Sequence, residues 1–137
     1  MPYIFASAFA ALLLDQGSKA TAWILAGQRT LSCGLFQIRY LPAVRPFFLR
    51  RNSRLAFFLL WLASLGCGLL LYRRGGWFQS GSAQVGLGLA FGSAAGNLLD
   101  VLRRHHVVDF VDFRCWPVFN LADLGIVAGL CLALWHY

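Results

Sequence analysis

The sequence predicts an all-α integral membrane protein with four transmembrane helices and a small β-containing segment between the first two. Hydrophobic residues make up 59% of the chain and charged residues only 12%, a balance too apolar for an ordinary soluble domain. Its 137 residues accommodate about four crossings of roughly 20 residues each. We therefore predict a single membrane domain over residues 1–137, with helices at about 3–25, 55–72, 81–102 and 120–135.

The first predicted helix runs directly into a polar cluster, Asp15-Gln16-Gly17-Ser18-Lys19. It lacks the basic region that begins a secretory signal peptide, so we expect it to be retained as a membrane helix. Asp15 and Lys19 are four residues apart and share one face, where opposite charges can pair. The simplest interpretation of these two residues is a structural ion pair.

The segment between the first two crossings is rich in glycine, proline and arginine, and residues 35–40 alternate partially between apolar and polar. This pattern predicts an interfacial segment with some β structure. The second crossing, 55–72, ends in a basic turn at Arg73 and Arg74 with Trp77 beside it, a composition suited to the membrane interface. Because the turn is tight, the second and third helices should be antiparallel neighbours.

The third crossing, 81–102, is unusually rich in small residues, which let helix backbones approach closely in lipid. We expect it to be the central helix, in contact with protein on several sides. The last crossing, 120–135, has an aspartate, Asp123, near its start and in an apolar context. The small residues of the third crossing are Gly86, Gly88, Gly92, Ser93, Ala94, Ala95 and Gly96.

The cysteine and charge patterns argue against several classes of function. Cys33, Cys67, Cys115 and Cys131 show no CxxC spacing, so no metal site and no cofactor is predicted, while a Cys33–Cys115 disulfide stays open. The net charge of +7 does not form the aromatic-interleaved basic face of a nucleic-acid binder. It is better suited to anionic lipid headgroups.

The acidic residues are the most informative, because there are only five and all are aspartates. Asp109 and Asp123 each stand beside apolar residues at a predicted membrane boundary, where ionisable groups are functional candidates by default. Two close carboxylates cannot readily both ionise, so such a pair shares a proton and supplies one acid and one base. An aspartic protease uses this arrangement to activate a water molecule against a peptide carbonyl.

Each of these residues also has a simpler interpretation. Asp123 stands three residues after Asn120, where asparagine can cap a helix and an acid suits the positive end of the helix dipole. Asp109 can be a solvated loop acid paired with a nearby arginine, a contact usually worth little. The arginines within reach of Asp109 in the sequence are Arg103, Arg104 and Arg114.

Asn97 and Asp100 lie near the C-terminal end of the third predicted helix, three residues apart. An acid is disfavoured there by the helix dipole, so Asp100 needs another reason for its position. Both residues are candidates to orient the site around Asp109 and Asp123.

Three ordered runs resemble the signature of the lipoprotein signal peptidases, the signal peptidase II family. The polar cluster of the first helix is similar to that family's motif at the same place. The resemblance implies a multi-pass enzyme of the bacterial inner membrane. The three runs are Gly96-Asn97-Leu98-Leu99-Asp100, Val107-Val108-Asp109-Phe110 and Phe119-Asn120-Leu121-Ala122-Asp123.

The function implied by the resemblance is that of an aspartic endopeptidase. Its substrate would be a diacylglyceryl-modified prolipoprotein, whose signal peptide it removes just before the modified cysteine. Asp109 and Asp123 would be the catalytic pair, near the extracytoplasmic face and on the same side as the β-containing segment. Asn97, Asp100 and Asn120 would arrange the site, and Asp15 and Lys19 would support the fold or the substrate channel. A monomer surrounded by phospholipid is expected.

Two departures make the chain a divergent member of this family. Val101 stands where the family usually has an arginine after the Asp of its Gly-Asn-x-x-Asp motif. The family's Asn-x-Gly-x-Ala-Phe segment is not recognisable after Tyr40, and Asn52 with Ala56 and Phe57 is only a faint echo of it. Groups missing at these places would be expected to contact the lipopeptide or brace the catalytic pair.

The charge distribution conflicts with the implied orientation. The family topology leaves two loop arginines in the cytoplasm and nine outside it, whereas the positive-inside rule prefers the reverse. We give the ordered motifs more weight, because an outer basic segment can lie on anionic headgroups. Two other functions stay open: a degenerate paralogue that binds lipopeptide without cleavage, and a small proton-coupled transporter subunit.

Overall fold

The computed structural model describes residues 2–26, 31–33, 36–42, 62, 66, 80–113 and 118–135. This part of the chain is mostly helical, with one three-stranded antiparallel sheet of order β1-β2-β3. The predicted second crossing, 55–72, lies outside the described residues except for two helical positions, Leu62 and Gly66, and Cys67 and Cys115 lie outside them too. The elements are α1 Pro2–Ala26, β1 Leu31–Cys33, β2 Phe36–Pro42, α2 Gly81–Arg104, β3 Val108–Asp112 and α3 Leu121–Leu134.

Helix α2 packs against both other helices, α1 on one side and α3 on the other. Glycines make these close approaches possible. A Cβ atom on Gly92 would collide with the backbone of Ala8 in α1, and one on Gly129 in α3 would come within 2.6 Å of the Ala90 backbone. The small residues therefore bring three backbones together on opposite faces of α2, as small residues do between helices in lipid.

The outer faces of α1 and α3 expose large apolar side chains. Phe5 and Phe9 on α1 are 68% and 64% exposed, and Val127 on α3 is 62% exposed. Among the described residues, one helix, α2, is long and apolar enough throughout to cross a membrane, and α3 is a shorter apolar helix. α1 has a comparable length, but the polar residues from Asp15 to Lys19 interrupt its apolar run.

The turn after α2 brings β3 back over the end of the helices. His105 ends α2 in the left-handed conformation, with φ 67°, and donates its backbone N–H to the Val101 carbonyl over 3.2 Å. β3 then pairs antiparallel with β2, and both strands contact α1. A single bridge between Val111 and Phe119 closes the following loop. The chain thereby returns to the start of α3 beside β3, which brings Asp109 close to Asp123.

Candidate active site

The two aspartates of interest, Asp109 and Asp123, contact the same buried asparagine. Asn120 is fully buried and donates its side-chain amide to Asp109 Oδ1 over 2.9 Å. Its backbone N–H donates to Asp123 Oδ2 over 3.1 Å. One residue therefore fixes a carboxyl from β3 and a carboxyl from the first turn of α3 at the same place.

Asp123 caps its own helix as well as facing the site. Asn120 is the N-cap of α3, and its Oδ1 accepts from the Asp123 backbone N–H over 3.0 Å, which completes a capping box. The simpler interpretation of Asp123 is therefore true. The cap involves only Oδ2 of the Asp123 carboxylate. The other oxygen, Oδ1, accepts a hydrogen bond from the Asn97 amide of α2 over 3.0 Å.

The amide of Asn97 is oriented by a lysine. Lys19 Nζ donates to Asn97 Oδ1 over 3.0 Å, and an ammonium has only donors, so the amide oxygen must face Lys19. The NH₂ group of Asn97 then faces Asp123. The Asn120 amide nitrogen also approaches Asn97 Oδ1 and the Val108 carbonyl, at 3.0 and 3.2 Å, so three acceptors share its two hydrogens.

Next to these amides lies a group of four alternating charges, three of them buried and the fourth, Arg104, partly exposed. Lys19 is fully buried and lies 2.7 Å from carboxylate oxygens of both Asp15 and Asp100. Arg104 lies 3.2 Å from the other oxygen of Asp100. Two cations thus face two anions, which offsets the large cost of removing each charge from water.

The positive charges of Lys19 and Arg104 offset the unfavourable position of Asp100 near the C-terminal end of α2. Besides Lys19 and Arg104, it accepts the backbone N–H of Val108 over 3.3 Å, so it ties the start of β3 to α2. Gly96 leaves room for the neighbouring Asp15 carboxylate, which a Cβ at that position would strike. Together these contacts place α1 and β3 relative to the helix that carries Asn97.

The environment of Asp109 favours its protonated form. Burial raises the pKa of the Asp109 carboxyl above its usual value, and the negative charge of Asp123 raises that pKa further. The hydrogen bond from Asn120 and the positive charge of Lys19 act in the opposite direction without cancelling the rise. Of the arginines considered as partners for Asp109, Arg104 binds Asp100 instead, and Arg114 lies outside the described residues.

Sequence reasoning missed two members of the polar network. Gln16 donates to Asp15 Oδ2 over 3.1 Å and to the Gly96 carbonyl over 3.2 Å, which joins α1 to α2. Arg104 is the i,i+4 partner of Asp100, a spacing visible in the sequence but hidden among several neighbouring basic residues. Within the described ranges, no group of three or more His, Cys, Asp or Glu side chains is arranged to hold a metal ion.

Curated relatives of this chain are lipoprotein signal peptidases. The protein of Nitrobacter hamburgensis is 36% identical over 155 residues, an alignment covering 94% of this chain and 87% of the relative. That of Symbiobacterium thermophilum is 32% identical over 94% of this chain and 90% of the relative. Some alignments of higher identity are local: the Pelotomaculum thermopropionicum protein is 64% identical over 50 residues, and the chain spans only a third (33%) of its length there.

Solved structures of two bacterial membrane enzymes have the same fold. One, determined in meso at 1.9 Å resolution, superposes with a TM-score of 0.79 at 20% identity over 99% of this chain and 92% of that chain. The other, at 2.3 Å, gives a TM-score of 0.75 at 19% identity and covers 99% and 87% of the two chains. The family model for signal peptidase II, Peptidase_A8, matches residues 7–137. This chain therefore belongs to the signal peptidase II family.

Proposed function

We propose that this chain is an aspartic endopeptidase that removes the signal peptides of diacylglyceryl-modified prolipoproteins, with Asp109 and Asp123 as its catalytic pair. The observation that carries the proposal is the contact of one buried residue, Asn120, with both carboxylates. Membership of the signal peptidase II family supplies the peptidase class and the substrate class.

The contacts of the two carboxyls support different roles for them. Asp123 accepts from the Asn97 amide and the Asn120 backbone at the positive end of a helix, surroundings that suit a carboxylate. Asp109 accepts a hydrogen bond from one neutral amide, and its raised pKa suits the member of the pair that carries the proton. Asp123 is therefore the base and Asp109 the acid.

The reaction then proceeds in two steps. Asp123 takes a proton from a water molecule while the water oxygen bonds to the peptide carbonyl carbon, and the Asp109 proton moves to the carbonyl oxygen. The C–N bond of the resulting diol breaks when Asp123 delivers its proton to the leaving nitrogen and Asp109 recovers the proton of one hydroxyl. One water is consumed, and a carboxylic acid and an amine leave.

An apolar recess lined in part by the first turns of α3, the helix that carries Asp123, supports lateral entry of the signal peptide from the bilayer. The recess has a volume of about 230 Å³ and is lined by residues from all three described helices. Leu121 and Leu124, which line it, flank Asp123 in the first turn of α3. The other lining residues are Ala11, Leu14, Leu89, Ser93, Gly125 and Ala128.

We place the carboxylates near the extracytoplasmic face of a monomeric, multi-pass inner-membrane protein with four transmembrane helices. The sheet that holds Asp109 would lie on the same side. Labelling of single cysteines in intact cells tests this orientation. A cysteine at Phe113, which is 42% exposed, should react with a membrane-impermeant maleimide. If that cysteine reacts with the maleimide only after the cells are opened, the proposed orientation is wrong.

Cleavage of a diacylglyceryl-modified precursor by the purified protein tests the enzymatic proposal. Asp109→Asn and Asp123→Asn should each lower the rate by at least about 10⁴-fold while leaving the protein folded. Asp112→Asn is the matched control, because Asp112 lies on the same strand as Asp109 but is not one of the two proposed catalytic residues. A folded wild type that binds the precursor without cleaving it would instead identify a degenerate, lipopeptide-binding paralogue.

A further inference from the structure

A second pocket, of about 400 Å³, lies between the C-terminal ends of α1 and α2, and the proposed cleavage does not use it. Its two walls differ in chemistry. Ala20, Trp23 and Ile24 of α1 form an apolar wall, and Arg104 and His106 at the end of α2 form a basic wall. A ligand that matches both walls must carry an anionic group next to an apolar chain.

The basic wall is held in place from within the protein. Arg104 donates from one terminal nitrogen to Asp100 Oδ1 over 3.2 Å, while its side chain stays 37% exposed. A guanidinium has five N–H donors, so this anchored group retains donors for a ligand. Asp100 is itself buried against Lys19, and His106 follows Arg104 by two residues. The arrangement suits a phosphate, whose oxygens match the planar guanidinium fork.

The apolar wall lies where a membrane helix reaches the lipid interface. Trp23 and Ile24 are 58% and 79% exposed, so both present large apolar surfaces outside the protein core. Tryptophan is enriched at membrane interfaces because its ring suits the level of the headgroups. An acyl chain that descends from a phosphate on Arg104 can lie along these two side chains.

We propose that this pocket binds one anionic phospholipid of the surrounding membrane. Its phosphate contacts Arg104 and His106, and the upper part of an acyl chain contacts Trp23 and Ile24. A free phosphate would use only the basic wall, whereas the lipid uses both. The net charge of +7 adds to the preference for an anionic headgroup. The proposal concerns binding and stands whether or not the chain cleaves prolipoproteins.

Native mass spectrometry of the full-length protein, delipidated in detergent and titrated with single lipids, tests this site. We expect one phosphatidylglycerol to bind with about tenfold preference over phosphatidylcholine. Arg104→Gln should remove this preference. Arg103→Gln is the matched control, because it removes the same charge from a neighbouring exposed residue that does not line the pocket.

A second variant separates lipid binding from the contact between Arg104 and Asp100. Ala20→Trp fills the apolar wall from an exposed position and leaves every charge in place, so phosphatidylglycerol binding should fall about tenfold. Soluble glycerophosphoglycerol, which has the headgroup without acyl chains, should not displace the lipid. Displacement by the soluble headgroup would identify a phosphate site instead. Unchanged phosphatidylglycerol binding in both folded variants would overturn the proposal.

Discussion

Two neighbouring regions of this molecule use the same side chain, aspartate, to opposite effect. In the first region, Asp15 and Asp100 lie on either side of Lys19, and Arg104 completes a balanced set of charges. In the second region, Asp109 and Asp123 accept hydrogen bonds from neutral amides and a backbone N–H group.

The difference between the two regions lies in their partners. A cation between two carboxylates compensates their charges and joins α1 to α2, which is a structural role. Amides orient a carboxylate without cancelling its charge, so the two carboxyls of the second region still influence each other. The structural aspartates have charged partners, and the proposed catalytic ones have neutral partners.

Removing the central cation should break the first region and give the largest effect on stability. Lys19→Met leaves Asp15 and Asp100 buried without that partner, so we expect a loss of about 3–5 kcal/mol in the free energy of unfolding. Unfolding by denaturant in detergent measures it. The double variant Lys19→Met with Asp15→Asn keeps the charges balanced and should regain much of the loss. A double variant as unstable as Lys19→Met would contradict the charge argument.

Reversing one amide contact should damage the second region. Asn97→Asp keeps an acceptor for Lys19 but replaces the donor that faces Asp123 with an oxygen. We expect kcat for precursor cleavage to fall about 10- to 100-fold, because the proposed base loses its orienting donor and faces a second carboxyl instead. Ser82→Ala, on the same helix but in the lining of neither pocket, is the control and should cleave normally. Equal losses in both variants would point to general damage of α2.

The raised pKa of Asp109 predicts a pH dependence of stability. Between its usual value near 3.8 and the raised value, the folded protein still holds a proton that the unfolded chain has released. Stability should therefore fall as pH rises through that window, by up to about 1.4 kcal/mol for each unit of pKa difference. Asp109→Asn should remove this slope, whereas Asp112→Asn should keep it. Denaturant titrations across pH 4–7 would show the comparison.

A smaller loss of stability than that of Lys19→Met is expected at the glutamine that joins the first region to α2. Gln16→Leu removes hydrogen bonds to Asp15 and the Gly96 carbonyl but leaves all four charges in place. Gln16 also donates to Asp100 Oδ1 over 3.4 Å, and a hydrogen bond to a charged acceptor contributes about 1.5–3 kcal/mol. The same unfolding assay should give a loss in this range with unchanged cleavage. A loss as large as that of Lys19→Met would mean that amides, not charges, dominate the first region.

Local patterns in the sequence predicted much of this structure. The apolar run before Asp15 predicted α1, the small residues predicted the packing of α2, and the spacing of Asn120 and Asp123 predicted the cap of α3. These features depend on residues a few positions apart. Asp109 and Asp123 are candidates because acidic residues are rare in this chain and because their sequence neighbours are apolar. Their catalytic roles stay predictions.

Contacts between distant segments could not be predicted in this way. β2 pairs with β3 across some seventy residues of sequence, and no local pattern fixes that register. The orientation of the Asn97 amide depends on Lys19 in another helix.

The double use of Asn120 has a consequence for biosynthesis. The residue that begins α3 is also the one that contacts both carboxyls, so the pair cannot form before this helix has folded. α3 leaves the ribosome after α1 and α2, and Asp109 alone has no partner carboxyl until then. Under the proposed mechanism, the nascent chain is inactive throughout its insertion into the bilayer. The newly made peptidase thus acquires the ability to cut only when its last described helix is in place.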